Sequence, residues 1–252
     1  MSLINPEELL LAYRLGIFPM AESREADEVL WVRPHERGII PLDTFHVPRR
    51  LGRLIRSGRY KVTIDRAFGE VIRGCAESRP DRRETWINEP IIEVFEALYR
   101  RGFAHSVEVW HRGELAGGLY GLSLGAAFFA ESKFSRMRDA SKVAVVHLAA
   151  RLKAGGYLLL DAQFPNPHLE QFGATAITDE RFQILLSRAL ARTGDFYSLG
   201  EPGAAGEAAG ALAEEPPLAA DVPGAAPGLA GTPAADEADA ASSVLQVITQ
   251  TS

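Results

Sequence analysis

Apolar and polar positions in this chain follow two periods in turn, helical up to Gly102 and alternating just beyond it. Asn5 has the chemistry of a helix N-cap, Pro6 fits the first helical position, and Glu7 and Glu8 suit the positive helix end. That helix is predicted to run to Leu15 and stop at Gly16. Further helices are predicted from Pro48 to Arg56, from a cap at Asp65 to Ala76, and from Asn88–Pro90 to Gly102. Then His105, Val107 and Val109 alternate with Ser106, Glu108 and Trp110, as in a strand. Arg112–Gly113 reads as a hairpin turn, Glu114 to Tyr120 as the returning strand, and Ala126 to Ala130 as a buried third strand. Asp139 to Ala154 has helical spacing and ends at Gly155–Gly156. The nearly all-apolar run Tyr157 to Asp161 is expected in the middle of a sheet. Thr178 caps a last helix ending near Arg192. This order predicts an α/β (α+β) fold, a mixed sheet with helices on both faces.

Composition changes the picture beyond Gly200. From there the chain is mostly Ala, Gly, Pro and acid, a mixture that buries too little apolar area to offset the entropy of ordering. Residues 199–252 are therefore read as a disordered acidic tail, 1–60 as a small N-terminal region and 61–198 as the main folded domain. The tail also explains the formal charge of −6. It carries eight acids and no Lys or Arg, so the rest of the chain sets 27 basic residues against 25 acidic ones. The body is thus near +2 rather than acidic. Cys75 is the single cysteine, which leaves no partner for an intrachain disulfide. No apolar run reaches the ~18 residues of a membrane span, and no signal peptide opens the chain. A cytoplasmic protein with no membrane partner is expected.

Three clusters carry candidate chemistry. His46 to Lys61 holds Arg49, Arg50, Arg53, Arg56, Arg59 and Lys61 without an acid, and a helix would line several arginines along one side. Such a face suits the phosphates of a nucleic acid, and equally a solvated surface. In Phe128–Met137 the carboxylate of Glu131 follows three apolar residues, where it needs a partner. That partner is an incoming ammonium group, or else Lys133 or Arg136. In Tyr157–His168, Asp161 and Gln163 leave the buried strand at its carboxyl end, where open α/β sheets bind ligands. A structural role for that pair stands beside the functional one. No metal-ligand spacing, phosphate loop or nucleophile elbow is present.

At these residues the chain resembles the leucyl/phenylalanyl-tRNA–protein transferase family. The resemblance is carried by "LLLAYRLGIFPM", "TWINEP", "FAHSVEVW", "ELAGGLYG", "FFAESKFSRMRDASKVAVVHLAARL" and "LLLDAQFPNPHLEQFGA", in the family's order, from Pro6 to Leu190. It implies a fold of the N-acetyltransferase type and a reaction without cofactor or metal. The aminoacyl group of a charged tRNA passes to the N-terminal amine of a protein beginning with Lys or Arg, creating a degradation signal. Leu and Phe are the implied donors, with Met as a further one. It implies that Asp161 polarises the Gln163 amide, that Gln163 orients the acceptor amine, that Glu131 holds its ammonium form, and that Asn166 is a nearby polar contact. Trp86, Tyr13 and Met20 fall in the neighbourhood of the terminal adenosine, Met20 standing where many members carry tryptophan. Leu119, Phe128, Val145, Leu148 and Leu160 fall where the family lines an apolar pocket for the donated side chain. A monomer is expected.

Two rival readings are distinguishable. Acetyl-CoA chemistry on the same fold needs a pyrophosphate loop, and the nearest stretch, Arg112 to Gly117, has Leu115 where glycine is required. A non-catalytic tRNA-binding protein would keep the basic stretch and make the Asp161–Gln163 pair incidental. A related aminoacyltransferase with a changed donor or acceptor is the nearer alternative.

Overall fold

The computed structural model of the chain describes residues 4–26, 28–77 and 85–200. The tail read from composition lies outside the described residues. Helix α1 (Pro6–Arg14) starts as its sequence dictates, with the Asn5 side chain accepting the Glu7 N–H at 2.9 Å. Strands β1 (Phe18–Met20) and β2 (Leu30–Val32) form a separate two-stranded antiparallel ribbon. The other strands share one sheet: β3 (Glu36–Ile39), β4 (Lys61–Ile64), β5 (Ala104–His111), β6 (Glu114–Leu124), β7 (Ala127–Ser135), β8 (Leu159–Asp161) and β9 (Thr175–Thr178). Its order is β4-β5-β6-β7-β8-β3-β9, seven strands in all.

Strands β4 to β7 run antiparallel, and β8 joins β7 in parallel. A parallel neighbour needs a crossover, supplied here by helix α5 (Ala140–Ala154). Strand β3 comes from the N-terminal region, yet it lies between β8 and β9 and is antiparallel to both. A mixed sheet flanked by helices is the architecture expected, here with a parallel pair following an antiparallel meander.

Two apolar layers cover the sheet. On one face pack α1, α3 (Phe68–Ala76), α4 (Glu89–Arg100) and α7 (Asp179–Leu190), contributing Leu9, Val71, Phe95 and Phe182. On the other lie α2 (Arg49–Arg56) and α5, contributing Leu51, Ile55, Val146 and Leu152. Side chains alternate across a strand, so β6 gives Tyr120 and Leu122 to the first layer and Leu119 to the second.

Several sequence expectations shift. Arg112 and Gly113 turn the β5–β6 hairpin with φ of 53° and 84°, as expected of a tight turn. Asp65 does not cap α3. It sits buried at φ 55°, pairs with His105 Nδ1 at 2.7 Å, and accepts from the Tyr197 hydroxyl at 2.6 Å. The helix begins instead after Ala67, without a side-chain cap. Strands β1, β2, β3, β4 and β9 are short and were not apparent from alternation.

Candidate functional site

The site forms where β8 ends between β7 and β3. Asp161 closes β8 and is fully buried. Its counter-charge comes from Arg37 on β3, also 0% exposed. Arg37 Nε donates to Asp161 Oδ1 at 2.9 Å, and Nη2 donates to Oδ2 at 2.5 Å. The third direction is taken by Nη1, which donates to the Gly16 carbonyl at 2.8 Å. The guanidinium carbon lies 4.8 Å from the Phe18 ring centroid and 4.3 Å from that of Phe182. Two aromatic faces thus accompany a paired, desolvated cation.

Beyond Asp161 the chain leaves the sheet sharply. Gln163 adopts φ 63°, an uncommon conformation for a residue with a Cβ. Its backbone N–H donates to Asp161 Oδ1 at 2.9 Å, which stabilises the turn. Gly38 makes the turn possible, because a Cβ there would stand 2.5 Å from the Phe164 carbonyl oxygen. The Gln163 side chain then reaches β7, where Nε2 donates to Glu131 Oε2 at 2.7 Å.

Glu131 owes its aim to a bulge. Tyr120 pairs with Ser132 and Gly121 with Ala130, so Glu131 is the extra residue. Such an insertion re-aims a side chain. Burial pushes the Glu131 carboxyl up to about 8, against the opposing pull of Tyr13 and Gln163. Its Oε1 is buried, and neither it nor the Tyr13 hydroxyl makes a hydrogen bond of ordinary geometry among the described residues. Tyr13 nonetheless lies near enough to favour the ionised carboxylate. Burial, and then the Glu131 charge, raise the tyrosine well above its ordinary value.

Next to these groups opens a cavity of about 280 Å³. Leu119, Val145, Leu148, Leu160 and Ile40 give it apolar walls, while Glu131, Gln163, Asn166 and Lys133 give it polar ones. Trp86 lines it and is half-buried. Asn166 also caps the short helix α6 (Pro167–Glu170), accepting from the His168 N–H at 2.9 Å. Burial pulls the Lys133 ammonium group down.

Two expectations, those for Asp161 and Phe128, need correction, and Tyr13 and Met20 stand apart from the side-chain cavity. Asp161 engages the backbone of Gln163 rather than its side-chain amide, because Gln163 has already left the strand. Tyr13 does not face the cavity; it is wholly buried on α1, edge-on to Phe129 at 4.9 Å, and meets Glu131 from behind. Met20 pairs with Leu30 in the ribbon and packs against the first apolar layer rather than lining the cavity. Phe128 is not a wall residue either, since it stacks on Phe196 at 5.5 Å. The salt-bridge alternative for Glu131 is absent for Arg136, whose Nη2 donates to Glu77 Oε1 at 2.5 Å. Lys133 shares the cavity wall with Glu131.

Arg37 was missed by sequence reasoning. The available signal was its place two residues before Ile39, on the apolar side of a strand. The basic stretch is where it was expected. Helix α2 buries Leu51, Gly52 and Ile55, and Arg49, Arg50, Arg53 and Arg56 are all exposed. Arg59 follows, with its guanidinium carbon 5.5 Å from the Tyr60 ring centroid.

Comparison with known proteins decides the family. The profile described as "Leucyl/phenylalanyl-tRNA protein transferase" matches residues 39–187, and that of the family's N-terminal domain matches residues 3–35. The chain belongs to the leucyl/phenylalanyl-tRNA–protein transferase family.

Relatives in that family are similar over most of their length. The leucyl/phenylalanyl-tRNA–protein transferase of Caulobacter vibrioides is 55% identical over 193 residues, covering 77% of this chain and 89% of the relative. That of Phenylobacterium zucineum is 53% identical over 213 residues, covering 84% and 96%. That of Paramagnetospirillum magneticum is 55% identical over 193 residues, covering 77% and 92%. Like the family, this chain is an enzyme, an aminoacyltransferase. Among the described residues no helix is long and apolar enough to cross a membrane, and no group of metal-ligating side chains occurs.

Proposed function

We propose that this transferase moves Leu or Phe, and also Met, from charged tRNA to the N-terminal amine of proteins that begin with Lys or Arg. The observation that carries this reading is the Gln163–Glu131 contact at an apolar cavity. The cavity takes the donated side chain, gaining roughly 25 cal/mol per Å² of apolar surface removed from water. Glu131 receives the acceptor as its ammonium form. Gln163 touches the reacting amine, because Nε2 is committed to Glu131 and its oxygen remains an acceptor. Asp161 positions Gln163 through the backbone. Trp86 and Asn166 contact the aminoacyl-adenosine end, and Arg49, Arg50, Arg53, Arg56 and Arg59 hold tRNA phosphates.

The chemistry asks little more than alignment. The bound ammonium group first releases one proton to bulk water; the free amine nitrogen then attacks the ester carbonyl, the new C–N bond forms, the bond to the ribose oxygen breaks, and one of the two remaining amine protons ends on that oxygen. An ester is already activated, so these residues suffice to bring the partners together. The product carries a new apolar first residue, which marks it for degradation. The enzyme works as a cytoplasmic monomer.

The test is a transfer assay with leucyl-, phenylalanyl- and methionyl-tRNA and peptides differing only at residue one. Product masses should show each donor on Lys- and Arg-initiated peptides, and Gln163→Ala should reduce transfer while tRNA still binds. A wild-type protein that binds tRNA tightly and transfers nothing would make it a binding module.

A further inference from the structure

We propose that Arg37 is a positioning residue for transfer, acting on the amine-binding amide of Gln163 through Asp161. The inference rests on the reading of Gln163 given above. Among the described residues Arg37 is the largest side chain that is fully buried. A buried ion pair is by itself weak evidence of a stabilising role, since well-packed apolar residues often do as well. What sets this pair apart is the third partner of the carboxylate. Asp161 Oδ1 accepts both from Arg37 Nε at 2.9 Å and from the Gln163 backbone N–H at 2.9 Å. Gln163 holds φ 63° at that point, and such a conformation persists only where its surroundings over-determine it.

The contacts form a line. The rings of Phe18 and Phe182 and the Gly16 carbonyl fix the guanidinium. The guanidinium fixes both oxygens of Asp161. Asp161 fixes the Gln163 peptide, and the peptide aims Nε2 at Glu131, 2.7 Å away. Arg37 itself is sealed from the cavity, so it touches no substrate. Lysine cannot reproduce the fork, because its ammonium is a point charge and Asp161 needs two parallel donors.

The experiment compares Arg37→Lys, Arg37→Ala and Gln163→Ala with the wild type, using leucyl-tRNA and an Arg-initiated peptide. Circular dichroism first establishes which variants are folded. A misplaced reacting group costs on the order of 100-fold in rate. Folded Arg37→Lys and Arg37→Ala should therefore lose about 100-fold in kcat, with KM for leucyl-tRNA little changed. Methylguanidinium added to Arg37→Ala should recover much of that loss, a response that general loosening of the fold would not give. The proposal is overturned if folded Arg37 variants keep near-wild-type kcat, if the loss falls on KM alone, or if methylguanidinium does nothing. It is also overturned if both Arg37 variants are recovered only unfolded, for Arg37 is then a folding residue. If Gln163→Ala transfers normally, the reading of the site fails first, whatever Arg37 does.

Discussion

Gln163 Nε2 donates to Glu131 Oε2 across the end of the β7–β8 parallel pair, and the second oxygen of that carboxylate is buried without a hydrogen bond among the described residues. A half-satisfied carboxylate beside an amide fixes one acceptor geometry and leaves one open. Its predicted consequences begin with pH.

Glu131 has its carboxyl raised to about 8 by burial. Activity that needs the ionised carboxylate should climb through about pH 8, and Glu131→Gln should lower activity and erase that limb. Stability runs the other way. Between the ordinary glutamate value and about 8 the folded state holds a proton that the unfolded state has released, so stability falls as pH rises. Denaturant melts at several pH values should show a shallower decline for Glu131→Gln. An identical pH slope in variant and wild type would refute this.

Charge on α2 can be read from salt. Replacing Arg49, Arg50 and Arg53 together by glutamine should raise KM for charged tRNA. Each lost phosphate contact should flatten the log–log salt slope by roughly 0.7–0.9. These residues are exposed, and the helix is held by Leu51 and Ile55 instead, so thermal stability should hardly change. An unaltered salt slope would remove this face from the tRNA site.

The donor pocket can be narrowed from α5. Val145 lines the cavity on the wall that also carries Leu148. Val145→Phe should occupy part of its volume and depress phenylalanine transfer more than leucine transfer, by roughly tenfold, a change comparable to that for small apolar differences in enzyme pockets. Competition between the two charged tRNAs measures it, and an unchanged ratio would place the donated side chain elsewhere.

The segment just before residue 200 is predicted to matter where the tail does not. Phe196 stacks on His105 at 4.0 Å, and the Tyr197 hydroxyl donates to Asp65 at 2.6 Å. Truncation after Gly200 should preserve activity and melting temperature. Truncation after Asp195 removes a buried aromatic, a loss of about 3–5 kcal/mol on the scale of core deletions, and should be visible in a denaturant titration. Equal stability of the two truncations would contradict this account.

Much of this arrangement is visible in one dimension. Asn5, Asn88 and Thr178 announce their helices because an N-cap is a local bond, and all three accept a backbone N–H as expected. The β5–β6 hairpin is likewise local. Strands β3, β4 and β9 escaped because four residues are too few to display a period, and their pairing is decided by distant partners. The family resemblance implied that Glu131, Asp161 and Gln163 share one neighbourhood, but not the order of their contacts. Asp161 answers to Arg37, whose cue in the chain is no more than its place two residues before Ile39. The bulge at Glu131 and the left-handed turn at Gln163 are tertiary outcomes too, and they determine where both groups point.

The place of β3 also sets a timetable for synthesis. Arg37 and Asp161 are 124 residues apart, and the ring of Phe182 must arrive before the guanidinium is enclosed. A chain emerging from the ribosome can finish the β5–β6 hairpin early, since its partners are adjacent. Its amide-positioning apparatus must wait until α7 has been made. Pairings of such long sequence separation are slow to form, so on the proposed reading a chain that stops short of α7 should transfer nothing.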